Sequence, residues 1–351
     1  MHRQMKPLSV AAKAVRTIGT HSGTFHCDEA AAIFMLRQLD NFKDAKIVRT
    51  RDTAVMNTLD CLVDVGSEYD PSRLRFDHHQ RSFAETFSAK HDVRLSSAGL
   101  IYKHYGREVV QNLTHLSGPD LDLVYLKIYD DFVLALDAID NGVDAYPSGV
   151  KPKYVDRTTL ARRVGSLNSR WNESISEEQV MERFERAIAT CGSEFEDRVK
   201  DCAFSWLPAR QIVRSAVHAR FDQSKDGLYF VLDEFAPWQS HFFDMEGEEN
   251  DGNGAVDAHA SVKSCLYVIY PSENKSWRYQ AIPTIPGSMG QRFKFPDAWL
   301  GLRDSELDAL TGVEPGATFV HHSGFTGGHK TKEGVIAMVE KALELGKEPR
   351  A

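Results

Sequence analysis

The tripeptide Asp77-His78-His79 closes a strand-like run, Leu74-Arg75-Phe76, with one carboxylate and two imidazoles. A second apolar run, Leu62-Val63, ends in Asp64, and a third, Thr17-Ile18-Gly19-Thr20, leads into His21 and then His26-Cys27-Asp28-Glu29. Each alone is ordinary. A His pair after an aspartate commonly lies in a polar turn, and an Asp after a strand can cap a helix. Three strand ends in the first quarter of the chain, each delivering carboxylate or imidazole, read instead as one cluster for divalent metal ions. Mixed His/Asp ligation without paired cysteine suits a hard-to-borderline ion such as Mn²⁺ better than a structural Zn²⁺.

The elements around these residues are legible from periodicity. Ala30, Ala31, Ile33, Phe34, Leu36 and Leu39 predict a helix over 27–39, followed by a strand at Lys46-Ile47-Val48-Arg49 and the strand ending at Asp64. Strand–helix–strand alternation predicts an α/β fold with a doubly wound, mainly parallel sheet. In such sheets the ligand crevice lies outside the carboxyl ends of the strands, where the acids fall. A helix is expected over 121–138, ended by Asn141-Gly142, then a loop over 145–153 and an amphipathic helix over 177–200.

The organisation expected is a tail at 1–16, a catalytic domain at 17–200 with its bridging helix, and a smaller α/β domain at 204–346. Strands at 228–232, 265–270 and 277–282 build the second domain. Residues 246–260 read as a mobile acidic loop, and a glycine turn at Gly327-Gly328 precedes a last helix to Leu345.

At 351 residues, with 42% hydrophobic and 26% charged residues, the chain has the composition of a soluble two-domain protein. No apolar stretch reaches the ~20 residues that span a bilayer. Five scattered cysteines without CxxC spacing predict free thiols and an intracellular, reducing setting. The start is basic and free of acid, with Arg3, Lys6, Lys13 and Arg16, which fits a mitochondrial transit peptide or a plain tail. A net charge of −8 argues against a broad basic nucleic-acid footprint. Local cations remain at Arg73, Arg75 and Arg81, at Arg157, Arg162, Arg163 and Arg170, and at Lys330 and Lys332, each of which would ordinarily be a solvated face.

His21…Asp28, Asp64 and Asp77-His78-His79 resemble the successive motifs of the DHH phosphoesterase superfamily. Longer strings, Ile18 to Glu29, Val63 to Pro71, Phe76 to Phe83, Leu95 to Tyr102, Ser205 to Arg210 and Ser323 to His329, resemble the MYG family (melanocyte-proliferating-gene proteins). The resemblance covers roughly residues 16–346 and implies a 3′-to-5′ exonuclease for RNA with two divalent ions, Mn²⁺ first and Mg²⁺ second. It also implies a mitochondrial or nuclear setting.

By the same resemblance Asp64 bridges the ions, His21 and His26 serve one, and Asp28 and His78 the other. Asp140 adds a later acid, while Asp137 is expected to face solvent at a helix end. Asp77 orients the His pair or binds metal weakly, and His79 acts on the phosphate as donor or acid. Gly327, Gly328 and His329 resemble a substrate-holding signature, with glycines letting backbone approach an anion. The chain departs from the superfamily at His26, which stands near an expected Asp and favours softer ions at the first site. Two other readings stay open: a small-substrate phosphoesterase acting on pyrophosphate or short oligonucleotides, and a non-catalytic RNA- or protein-binding module.

Overall fold

The computed structural model describes residues 17–147, 149–251 and 261–347. The expected tail at 1–16 and residues 252–260 of the expected acidic loop lie outside them. The chain divides into two compact units after Leu207. No helix among the described residues is long and apolar enough to cross a membrane, and all five cysteines are buried free thiols.

The first unit opens with β1 (Thr17–Thr20), α1 (Cys27–Arg37), β2 (Lys46–Arg49), α2 (Thr53–Met56), β3 (Cys61–Val63), β4 (Tyr69–Asp70) and β5 (Arg75–Phe76). Its sheet runs β2-β1-β3-β5-β4, parallel throughout except for the short antiparallel edge strand β4. Side chains alternate across the pleat. Ile18, Cys61, Val63 and Phe76 enter the large core beneath α1, whereas Leu62 joins Val48, Met56, Leu59 and Val65 on the other face. Both faces are therefore apolar, as a parallel sheet requires.

Asp64 directly follows β3. Its N–H still donates to the Phe76 carbonyl (3.1 Å), but its backbone turns left-handed with φ 57°. Gly66 (φ 103°) and Ser67 (φ 52°) complete the reversal. This turn points the Ser67 N–H at Asp77 (2.6 Å) and so ties the ends of β3 and β5 together.

Five helices follow: α3 (Ser97–Thr114), α4 (Gly118–Ile128), α5 (Leu134–Asp140), α6 (Leu160–Gly165) and α7 (Glu177–Asp201). α1 packs on α3 and α7, and its Ala30-Ala31-Ala32 run is buried on every side. The helix expected over 121–138 is α4 and α5 joined by a π-helical turn, Tyr129–Val133. That turn re-aims the last helix, whose end at Asn141-Gly142 agrees with the sequence reading.

Asp137 corrects an expectation. It is fully buried and does not face solvent. It accepts hydrogen bonds from the N–H groups of Ser96 (2.9 Å) and Gly99 (3.1 Å) and from the hydroxyls of Ser96 (2.7 Å) and Tyr129 (2.9 Å). It thus caps the N-terminus of α3 from α5, where a carboxylate complements the unpaired N–H groups. A Cβ on Gly99 would stand 2.4 Å from this carboxylate, so the approach needs glycine.

The second unit contains α8 (Leu207–His218), α9 (Arg220–Gln223), β6 (Tyr229–Val231), α10 (Gln239–Asp251), β7 (Tyr267–Pro271), β8 (Trp277–Ala281), α11 (Asp304–Thr311), β9 (Ala317–Val320), β10 (Thr326–His329) and α12 (Lys332–Lys347). Its sheet runs β6-β7-β8-β10-β9, with only β6 and β7 parallel. Tyr229, Val231, Tyr267 and Ile269 face α12; Phe230, Leu232 and Val268 face α8 and α10. The first part of the expected acidic loop is the end of α10, where Glu246 is buried against Arg292.

Replacing Asp137 by Ala leaves buried N–H donors at the α3 terminus without an acceptor. The expected loss of unfolding free energy is on the order of 3 kcal/mol. Denaturant titration of Asp137→Ala measures it, and an unchanged midpoint would contradict the capping role.

Candidate metal centre

The carboxyl ends of β1, β3 and β5 and the end of α5 bring His21, Asp64, His78 and Asp140 together, while α1 adds His26, Asp28 and Glu29. His21 Nε2 lies 3.1 Å from Glu29 and 3.3 Å from Asp64. His78 Nε2 lies 3.1 Å from Asp140 and 3.4 Å from Asp64. Three sets of ligand atoms fall within 4.8 Å of one another: His21, His26, Glu29 and Asp64; Asp64, His78 and His79; His26, Asp28 and Asp140. Asp64 is common to the first two sets.

Every sequence-predicted ligand therefore falls within this cluster, but its grouping differs from the expected one. Asp28 sits with His26 and Asp140, not with His78. Glu29 was missed. Its carboxylate accepts from the His26 N–H (2.9 Å), an N-terminal capping contact that the His-x-x-Glu spacing predicts. Because Glu29 is fully buried, the same group also reaches His21.

The donor set fits a cation. Asp28 is 1% exposed, and neither of its oxygens has a hydrogen-bond partner. The buried Nε2 atoms of His21 and His78 stand beside carboxylates outside hydrogen-bonding geometry. Orphaned acceptors of this kind are costly in a folded protein unless a cation satisfies them.

Charge crowding shows in the titration of each group. Burial first, then Asp64, Asp140 and Glu29, holds the Asp28 carboxyl well above its ordinary range. Burial would lower His21, but Asp64 and Glu29 outweigh it and raise the imidazole to about 10. His78 is likewise raised to about 10 against its burial, by Asp140 and then Asp64. Asp64 is pushed below its usual range by His21 and His78, despite burial that acts the other way.

Asp77 stands behind the ligands. It is 1% exposed, accepts from the His79 N–H (3.1 Å) and lies 2.7 Å from His79 Nδ1. It orients His79 and makes no such bond to His78. The His79 side chain is 59% exposed, with Nε2 as its unengaged nitrogen.

At the second expected site the backbone differs from the expectation. Thr326–His329 is the buried strand β10, with β8 on one side and β9 on the other, and not a turn opening a helix. A Cβ on Gly327 would meet the Phe319 carbonyl at 2.6 Å, and one on Gly328 the Trp277 carbonyl at 2.8 Å. These glycines serve sheet packing. His329 is 1% exposed; its Nε2 lies 3.0 Å from the Glu314 carbonyl, and its Nδ1 accepts from the Thr331 N–H (3.0 Å).

A family model for MYG1 exonucleases, described as uncharacterised protein family UPF0160, matches residues 17–343. This chain belongs to the MYG1 family. The MYG1 protein of Caenorhabditis elegans is 46% identical over 94% of this chain and 96% of its own length. The MYG1 exonuclease of Homo sapiens is 40% identical over 97% of this chain and 92% of its own. The MYG1 protein of Saccharomyces cerevisiae is 40% identical over 97% and 99%. No solved structure matches the chain. The match extends from β1 to α12, so both units belong to the MYG1 family pattern.

Two outcomes follow from this geometry. Imidazole ligands must be neutral and carboxyl ligands ionised, so loading the metal-free protein at pH 7.5 releases at least two protons, from His21 and His78, and more where Asp28 holds one. Apparent affinity then climbs with pH and levels off only above about pH 10, where those groups are already neutral. Calorimetry with Mn²⁺ in buffers of different ionisation enthalpy counts the protons, and a count near zero contradicts this ligation. In the second unit Gly328→Val should break β10 apart from its neighbours. Limited proteolysis is expected to cut that unit in the variant and spare it in the wild type.

Proposed function

We propose that the protein is a metal-dependent phosphodiesterase, specifically a 3′-to-5′ exonuclease acting on RNA with two divalent ions, Mn²⁺ before Mg²⁺. The observation that carries the reading is the buried Asp28 carboxylate, without a hydrogen-bond partner, among linked ligand sets that share Asp64. Relatives named MYG1 exonuclease support nuclease action. The likeness of the His21, Asp64 and Asp77-His78-His79 strings to DHH phosphoesterases supports a dinuclear arrangement. Polarity, RNA preference and a mitochondrial or nuclear setting rest on family resemblance.

Bound divalent ions would ionise a water near neutral pH and offset charge on the phosphoryl oxygens. His21, His26, Glu29 and Asp64 would hold one ion. His78 and Asp140 would hold the other, with Asp64 shared, while Asp28, set against His26 and Asp140, would link the two ligand sets. Asp77 fixes the ring of His79 through Nδ1, which leaves Nε2 to donate to the phosphate or to the departing oxygen. The same contact raises the His79 pKa, so more of the ring carries the proton it would donate.

Degradation of end-labelled RNA and DNA ladders with Mn²⁺, Mg²⁺ or chelator tests the reading. Stepwise shortening of RNA from its 3′ end, abolished by chelator, is expected. Hydrolysis confined to pyrophosphate would support the small-substrate alternative, and no hydrolysis would support the binding module. His79→Asn should retain its metal while kcat falls about 10²-fold with little change in KM. Metal loss in that variant would make His79 a ligand instead.

A further inference from the structure

Between Asp140 and Trp171 the chain leaves the metal centre and returns to it. Asp140 stands 3.1 Å from His78 at one end. At the other, the Asn168 amide clasps the backbone of Phe25, accepting from its N–H (2.9 Å) and donating to its carbonyl (2.8 Å), next to His26. Both ends of the segment are thus fixed on the rim of the site.

Its composition is opposite to that of the protein. Six cations and two acids lie between Asn141 and Trp171, in a chain of net charge −8. Arg163 pairs with Glu194. Lys151, Lys153, Arg157 and Arg162 are exposed and make no ion pair among the described residues. Interleaved with them are Tyr146, Tyr154 and Trp171, which are 56%, 79% and 97% exposed. A solvated loop accounts for the cations alone; large bare rings on the same segment call for a ligand.

The geometry points to this segment as a binding track for single-stranded nucleic acid that leads to the metal centre. Free cations would follow the phosphates, and separated rings would stack bases, the combination by which proteins hold single strands without reading sequence. A protein partner would favour a contiguous apolar face, and here charged residues divide the rings. The inference rests on the phosphodiesterase reading for its direction toward the metals, but its test does not.

Fluorescence anisotropy of labelled single-stranded RNA and DNA, in chelator, measures binding without hydrolysis. Tyr154→Ala with Trp171→Ala should weaken binding at least about tenfold, the loss of two stacked bases. Lys151→Glu, Lys153→Glu and Arg157→Glu together should flatten the slope of log affinity against log salt by about 2. Photo-crosslinking of iodouridine-substituted RNA to the wild type should map to Tyr154 or Trp171, independently of any variant. Crosslinks confined elsewhere, or variants that bind like the wild type, overturn the inference, and failure of both strands to bind assigns the rings to a protein partner. Hydrolysis of bis(4-nitrophenyl) phosphate by the wild type with Mn²⁺ reports on catalysis separately. Hydrolysis without strand binding sinks the track alone, and strand binding without hydrolysis sinks the catalytic reading alone.

Discussion

Asp28, Glu29 and Asp64 repel one another out of reach of water, with the half-buried Asp140 beside them, and much of the first unit is the scaffold that holds them there. Like charges in a low-dielectric interior either take up protons or gather cations. Here His21 and His78 supply compensating charge on one side of the balance, and divalent ions would supply it on the other. Strain of this kind persists only where surrounding packing over-determines the positions. The parallel ladder, the largely buried α1 and the reversal after β3 do so.

Asp137 and Asp28 make the distinction concrete. Both are buried carboxylates near helix termini in the same unit. Asp137 is met by four donors, which makes it part of the architecture. Asp28 has none. Burial alone could not have told a cap from a ligand; the donor count does.

Much of this was legible in the sequence, because strand ends that deliver acid are local facts. The runs ending at Asp64 and Asp77, the helix after His26 and the Asn141-Gly142 stop all depend on neighbouring residues. What was missed depends on tertiary partners. α3 was not read as a helix, and its N-terminus is capped from α5, a partner distant in sequence. Glu29 was passed over because the contact that makes it part of the site, His21, comes from β1. Gly327-Gly328 suggested a turn, since glycine signals both a reversal and a close approach of strands, and only the neighbouring Phe319 and Trp277 carbonyls decide between them.

The left-handed backbone at Asp64 also bears on inheritance. Apart from glycine, asparagine and aspartate adopt that conformation most readily. An aspartate codon reaches asparagine or glycine by a single transition. The commonest single-base changes at this position would therefore remove the shared carboxylate while leaving the turn after β3 at ease. Alleles of that class would yield a stable, abundant protein whose site lacks its central carboxylate, so their phenotype need not match that of a deletion.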